Sequence, residues 1–158
     1  MKKIISITAA IFISLGLQAH PWKPSHYVII DTDGGIDDMR AICMMLASPD
    51  VRVLAITTSA GALSAENAFI KVKSLLNSLY HEGIPIGINR NKINIKGQFS
   101  TALEYKWGDE RGIDAGNTTG FIDVISDILA NEKSKVSFIC MGGVNTAAES
   151  LKNIPEFR

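Results

Sequence analysis

Tyr27-Val28-Ile29-Ile30-Asp31-Thr32-Asp33-Gly34-Gly35-Ile36-Asp37-Asp38 changes character twice in a short space. Tyr27 to Ile30 is an apolar run, the mark of a buried strand. Asp31, Asp33, Asp37 and Asp38 then put four carboxylates within eight residues, and Gly34 and Gly35 between them permit a sharp turn. From Asp38 to Ser48, the residues Met39, Ile42, Cys43, Met45 and Leu46 recur at helical spacing, and Pro49-Asp50 stops the pattern. A buried strand that turns through glycines into a helix is the opening unit of a parallel α/β sheet.

The pattern repeats outward from that unit. Val51 to Thr58 is rich in β-branched residues and predicts a second strand, followed by Gly61. Ser64 is a candidate N-cap for a helix that carries Ala68, Val72, Leu75, Leu76 and Leu79 on one face and ends near Gly83. Ile84-Pro85-Ile86-Gly87-Ile88 is a third strand candidate. Asn89 to Thr119 is a long polar stretch, and loops of that length in a compact domain are more often functional than accidental. Within it, Trp107 reads as loop packing. Phe121 to Asn131 predicts a helix, Val136 to Met141 a strand, and Gly142-Gly143-Val144-Asn145 a turn into a last helix, Thr146 to Asn153. The expected fold is α/β, a Rossmann-like, mostly parallel sheet flanked by helices. Ligands of such sheets gather beyond the carboxyl ends of the strands, so the acidic cluster and the Gly142 turn are expected to share one site.

The chain has 158 residues, 46% of them hydrophobic and 20% charged, enough apolar material for one domain with a real core. Sixteen basic and sixteen acidic side chains cancel, which argues against a nucleic-acid partner. Lys2 and Lys3 precede an apolar stretch from Ile4 to Leu17, and Leu17-Gln18-Ala19 resembles a cleavage site. This is the layout of a secretory signal peptide, too short for a membrane span of about 20 residues. Residues 1–19 are therefore expected to be removed, 20–26 to form a proline-bearing linker, and 27–158 to form the domain. The mature protein is expected to be periplasmic or secreted, with no membrane attachment. Cys43 and Cys140 fall in helix-like and strand-like apolar patterns and read as small core residues. His20, His26 and His81 sit in no motif and read as surface residues.

Four carboxylates so close together repel one another, and the usual resolutions are protonation, a basic partner or a cation. Arg40 is the only basic residue nearby in sequence, whereas a hard cation such as calcium wants several oxygen ligands at once. Strand alternation points Asp31 and Asp33 the same way, and Asp37 and Asp38 fall where a helix dipole favours negative charge. An EF-hand loop is excluded on spacing, because its fifth and sixth positions would be Gly35 and Ile36. A phosphatase of the haloacid dehalogenase type also opens with Asp-x-Asp after a buried strand, but that motif leaves Asp37-Asp38 unexplained.

The run Ile29-Ile30-Asp31-Thr32-Asp33-Gly34-Gly35-Ile36-Asp37-Asp38 resembles the signature of the inosine-uridine-preferring nucleoside hydrolases, Asp-x-Asp-Pro-Gly-x-Asp-Asp after a strand, with Gly34 in place of the proline. The resemblance continues through Leu54-Ala55-Ile56-Thr57-Thr58-Ser59-Ala60-Gly61, the helix bearing Asn67, Ile84-Pro85-Ile86-Gly87, and Gly142-Gly143-Val144-Asn145-Thr146, where the family has Gly-Pro-Leu-Thr-Asn. Ala62 stands where the family usually has a ribose-contacting Asn. Nearly all of the mature chain is covered, and it looks like the N-terminal part of the family domain, truncated relative to it.

The resemblance implies a calcium-dependent hydrolase that splits a ribonucleoside into ribose and base with a calcium-activated water. Asp33 would bind the metal and act as general base, Asp38 would be a metal ligand, and Asn145 would offer it a backbone carbonyl. Asp37 would hydrogen-bond ribose hydroxyls, and Asp31 would support the cluster from behind. The partner implied is a small-molecule nucleoside. Sheet exposed by truncation would also favour a homo-oligomer. Two other classes stand beside the hydrolase: a non-catalytic domain that binds a metal or nucleoside, and a sugar-binding protein that reuses the fold, since fold does not fix function.

Overall fold

The computed structural model describes residues 23–91 and 99–157, so the expected signal peptide and the first part of the linker lie outside the described residues. Four strands form one parallel sheet: β1 (His26–Thr32), β2 (Val51–Thr58), β3 (Ile86–Ile88) and β4 (Val136–Cys140), in the spatial order β3-β2-β1-β4. The helices are α1 (Ile36–Ala47), α2 (Ala65–Ser78), the short α3 (Ser100–Glu104), α4 (Phe121–Asn131) and α5 (Asn145–Asn153), with a 3-10 turn at Pro155–Phe157. Parallel neighbours need a crossover, and α1 and α2 supply it for the first three strands. The chain then returns past β1 and lays β4 on its other side, so strand order reverses at β1. The carboxyl ends of β1 and β4 flank that switch point, where an open α/β sheet forms its crevice.

Alternation along β1 divides the core between two layers. Val28 and Ile30 pack with Met39 and Ile42 of α1 and with Phe69, Val72, Leu75 and Leu76 of α2. Ile29 points the other way and packs with Ala55 and with Phe121, Val124 and Ile125 of α4. On β2 the count slips by one residue. Val28 pairs with Val53 but Ile29 pairs with Ala55, leaving Leu54 as a bulge. The bulge is why Val53 and Ile56, three residues apart, both face the α1 and α2 layer.

Element boundaries follow local hydrogen bonding. The β1 strand begins at His26, one residue before the expected start of the domain, because Ser25 N and His26 N both donate to Asp50 O, at 3.0 and 2.9 Å. Ser64 caps α2 as expected, its hydroxyl accepting from Asn67 N at 3.2 Å. The helix closes at Ser78 rather than near Gly83. Tyr80 turns to a φ of +58° and His81 N returns to Leu76 O at 2.8 Å, a left-handed C-terminal closure occupied here by a tyrosine.

Within the long polar stretch, residues 103–110 are held to α2. Lys71 of α2 is buried, and its Nζ donates to Leu103 O (2.6 Å), Tyr105 O (2.8 Å) and Glu110 Oε1 (2.7 Å). All three donors of the amine are thereby used. Trp107 packs against the main core and lies 4.8 Å from the Tyr105 ring, in line with a packing role. Ala102 of α3 is buried with Leu63 and Ala68, beside the acidic turn. Among the described residues, no helix is long and apolar enough to cross a membrane.

Candidate active site

The acidic motif sits at the carboxyl end of β1, in the crevice. Strand geometry ends at Thr32, and Asp31 and Asp33 sit at two depths. Asp31 is fully buried. Its carboxylate accepts from Thr57 Oγ1 at 2.6 Å and Ser59 Oγ at 3.0 Å, at the end of the neighbouring strand, and Thr146 at the start of α5 also favours its charged form. Asp33 is half-buried at the turn, where its Oδ1 accepts from Gly35 N at 3.2 Å.

Two glycines make that turn possible. Gly34 has a φ of +80° and its N–H donates to Thr32 Oγ1 at 3.1 Å. A proline can adopt neither feature, so this chain builds the turn differently from the proline-bearing motif it resembles. Gly61, after β2, lies flat against Asp33. A Cβ there would sit 2.7 Å from both Cβ and Cγ of Asp33, so a side chain would displace the carboxylate.

Asp38, in the first turn of α1, is buried and folds back toward the strand. Its Oδ2 accepts from Thr32 Oγ1 at 2.8 Å and from Asp33 N at 3.3 Å. Asp37 is exposed on the same turn. Met141 N donates to Asp31 O at 2.9 Å and leads the chain into Gly142, where a Cβ would lie 3.2 Å from Asp33 Cβ. The Gly142 turn and the acidic run therefore meet, as their shared strand ends require. Asn145 is exposed and opens α5, where helical geometry aims its carbonyl at the N–H four residues on.

The cluster lacks positive charge. Burial pushes the Asp31 carboxyl up to about 6, against the bonds from Thr57, Ser59 and Thr146 that favour its charged form, with Asp33 repulsion adding. Burial likewise lifts Asp38 to about 6, opposed by Thr32 and reinforced by Asp33. Arg40 is exposed and forms no ion pair with the cluster among the described residues. Cys140 is exposed, which corrects the reading of it as a core residue. It ends the edge strand, so its side chain has sheet on one flank only, and its thiol pKa is raised by burial first and then by Asp31, Asp38 and Asp33.

Among the described residues, no three His, Cys, Asp or Glu side chains gather in an arrangement that could hold a metal ion. The chemistry of the donors nonetheless suits a hard cation. The donors are oxygens, Asp38 is a buried acid whose charged form is disfavoured, and Asp33 Oδ2 and Asp38 Oδ1 carry no hydrogen bond among the described residues. Two protein carboxylates fall short of a calcium shell of about six to eight oxygens, so water or ligand hydroxyls would have to complete it.

A sequence profile for inosine-uridine preferring nucleoside hydrolases matches residues 28–158. The chain belongs to that family. It is 28% identical over 138 residues to the pyrimidine-specific ribonucleoside hydrolase RihA of Klebsiella pneumoniae, covering 82% of this chain and 43% of that protein. The fold is shared with the purine-preferring ribonucleoside hydrolase from Gardnerella vaginalis, at a TM-score of 0.63 and 20% identity over 83% of this chain and 45% of that one. A plant nucleoside hydrolase, PpNRh1, superposes at a TM-score of 0.61 with 24% identity, covering 85% and 45%. The chain thus spans less than half the length of these nucleoside hydrolases.

The acids stand out in the sequence, and the hydroxyls that hold them do not. Thr32, Thr57, Ser59 and Thr146 are all buried around Asp31 and Asp38. The signal available was the run Thr57-Thr58-Ser59 at the carboxyl end of a strand next to β1, where apolar residues would otherwise be expected.

Proposed function

We propose that this chain carries the ribose and calcium side of a nucleoside hydrolase site, acting in hydrolysis of the N-glycosidic bond of a ribonucleoside to ribose and base. The observation that carries the reading is the meeting of Asp33, Asp38 and the Gly142 turn at the switch point of the sheet, inside a family match that runs through the motif.

Each residue has a distinct part. Asp33, held by Gly35 N–H and wedged against Gly61, is fixed in direction and takes the proton from the attacking water as general base. Asp38, braced by Thr32, would hold the cation together with Asp33, whereas the carbonyl of Asn145, the expected third donor, is committed to the first turn of α5. When bound, Ca2+ would supply the positive charge that acidifies water and orients the ribose hydroxyls. Asp37, exposed beside this pair, is placed to accept hydrogen bonds from those hydroxyls. Asp31 lies too deep to touch substrate and fixes the strand end through its hydroxyl partners. Cleavage passes through a sugar with oxocarbenium character, and the surrounding carboxylates stabilise the charge that develops there.

The test is release of reducing ribose from purine and pyrimidine ribonucleosides, with Ca2+ and with chelator. Calcium-dependent release is expected, with Asp33→Asn slowing it by at least about 100-fold, the usual worth of a general base. Wild-type rates in that variant would sink the assignment of Asp33. Calcium-dependent thermal stabilisation without turnover would favour a binding domain instead, and carbohydrate binding indifferent to calcium would favour a sugar-binding protein. Export is proposed on Lys2, Lys3 and the apolar run that follows, and N-terminal sequencing of protein recovered outside the cytoplasm checks it.

A further inference from the structure

The amino ends of the strands, opposite the acidic crevice, carry three departures from regular structure, and all three border one groove of about 580 Å3. The β2 strand starts at Val51, but its pairing with β3 starts only at Ile56. Pro85 O accepts from Ile56 N at 3.0 Å, and just before it Ile84 N turns away to donate to His81 O at 3.0 Å. The stretch from Val51 to Leu54 therefore has β1 on one flank and the groove on the other. The bulge at Leu54 lies in this same stretch, and bulges re-aim side chains beside binding sites. Tyr80, also lining the groove, is the one non-glycine residue with a positive φ among the described residues, and it is 88% exposed. A strained backbone thus holds out a ring that the fold itself does not bury.

The lining is apolar apart from a few polar tips. Leu46 of α1 and Ile128 of α4 both contribute, so the groove spans the two layers, with Val53 and Ile84 between them. The ionisable side chains of the lining are Arg52, His81 and Tyr80, with no carboxylate among them. Arg52 is exposed. It lies within the field of Glu132, yet it makes no hydrogen bond or ion pair among the described residues. The volume falls within the range of about 300–1,000 Å3 usual for small-molecule sites, which are mostly apolar with a few polar groups that fix orientation. We infer that this groove binds a small amphipathic carboxylate, its apolar body against Val53, Ile84 and the Tyr80 ring and its charge on the Arg52 guanidinium. A guanidinium matches a carboxylate with two parallel hydrogen bonds, and the absence of acids in the lining leaves nothing there to repel one. The inference stands apart from the acidic crevice and does not rest on the hydrolase reading.

Calorimetric titration with octanoate, kept below its micelle-forming concentration, tests it. Saturable binding of one octanoate per chain is expected. 1-Octanol, of the same length but uncharged, is expected to bind about fivefold more weakly, the worth of an exposed ion pair. Arg52→Gln should weaken octanoate by about the same factor and leave octanol unchanged. Tyr80→Gly should weaken both ligands while melting no lower than wild type, because glycine takes a φ of +58° without strain. That split separates a wall for the ligand from a residue the fold needs. No saturable octanoate binding, or octanol binding as tightly as octanoate, would overturn the inference. Wild-type octanoate affinity in Arg52→Gln or in Tyr80→Gly would do so as well. An apolar tripeptide amide that binds more tightly than octanoate would mark the open flank of β2 as a site of strand addition, and would also overturn it.

Discussion

The two flanks of β1 are built to different standards. Toward β2 the pairing runs the whole length of the strand, and the last residues of both strands are buried and joined by side chains: Thr57 and Ser59 reach Asp31, and Thr58 Oγ1 donates to Ala65 O at 3.0 Å. Toward β4 the pairing is shorter, and no residue of β4 is fully buried. Phe138 and Ile139 are only partly covered, Cys140 is exposed, and Val144 beyond it is 71% exposed. One flank is a finished interior. The other is an edge, where main-chain groups and apolar side chains meet no further strand among the described residues. The acids whose positions matter most hang from the finished side, while the turn that faces them hangs from the edge.

A paired substitution tests this contrast most severely. The related motifs carry proline where this chain has Gly34 and Gly143. Gly34→Pro is expected to cost about 3 kcal/mol or more, or to prevent folding, because the φ of +80° and the N–H bonded to Thr32 are both lost. Gly143→Pro, on the exposed turn and without a positive φ, is expected to change stability by less than about 1 kcal/mol. Chemical denaturation of both variants reads the difference, and equal costs would mean that the two turns are equally constrained.

A second pair compares the strands themselves. Ile30→Ala, at a fully buried site in the sheet centre, should cost about 2–5 kcal/mol. Ile139→Ala, its partner across the β1–β4 pairing, should cost roughly half that or less, since part of its side chain is already in water. Comparable losses would show that the edge is covered in solution.

The smallest effect concerns pH. Asp31 and Asp38 titrate near 6 in the folded chain against 3.8 when free, so the folded state holds more protons than the unfolded one between those values. Their contribution is therefore fully favourable below about 3.8 and is lost as pH rises through 6. In chelator, Asp31→Asn should lose the share of this dependence that belongs to Asp31, so its stability relative to wild type should improve between pH 4 and 7 by on the order of 1–3 kcal/mol. A stability difference that stays flat over that range would mean Asp31 is not destabilised by its burial.

Much of the finished flank was legible in the sequence. Val51–Thr58 and Phe121–Asn131 fall where β-branching and helical periodicity place them, because in both cases local preference and tertiary burial agree. The end of α2 was not legible, since Tyr80 takes a left-handed conformation that propensity assigns to glycine. The acids of the site stood out by their number and spacing. Their supports did not, because Thr57 and Ser59 lie 26 and 28 residues from Asp31, and only strand order brings them to it. A hydroxyl near a strand end looks the same in sequence whether it faces water or a buried carboxylate.

Lys71 has a consequence for how the molecule opens. Its amine reaches residues 32, 34 and 39 positions further along the chain, so three bonds from one side chain close the whole excursion that runs through β3. Closing a loop of that length carries an entropic cost that depends only weakly on how many residues it holds. Once α2 is docked, the segment from Leu103 to Glu110 is held to it as one piece. Its backbone amides should therefore exchange with solvent together with those of α2, as a single cooperative unit and not as an independently fraying loop. The segment would then share the lifetime of the sheet rather than that of the surface.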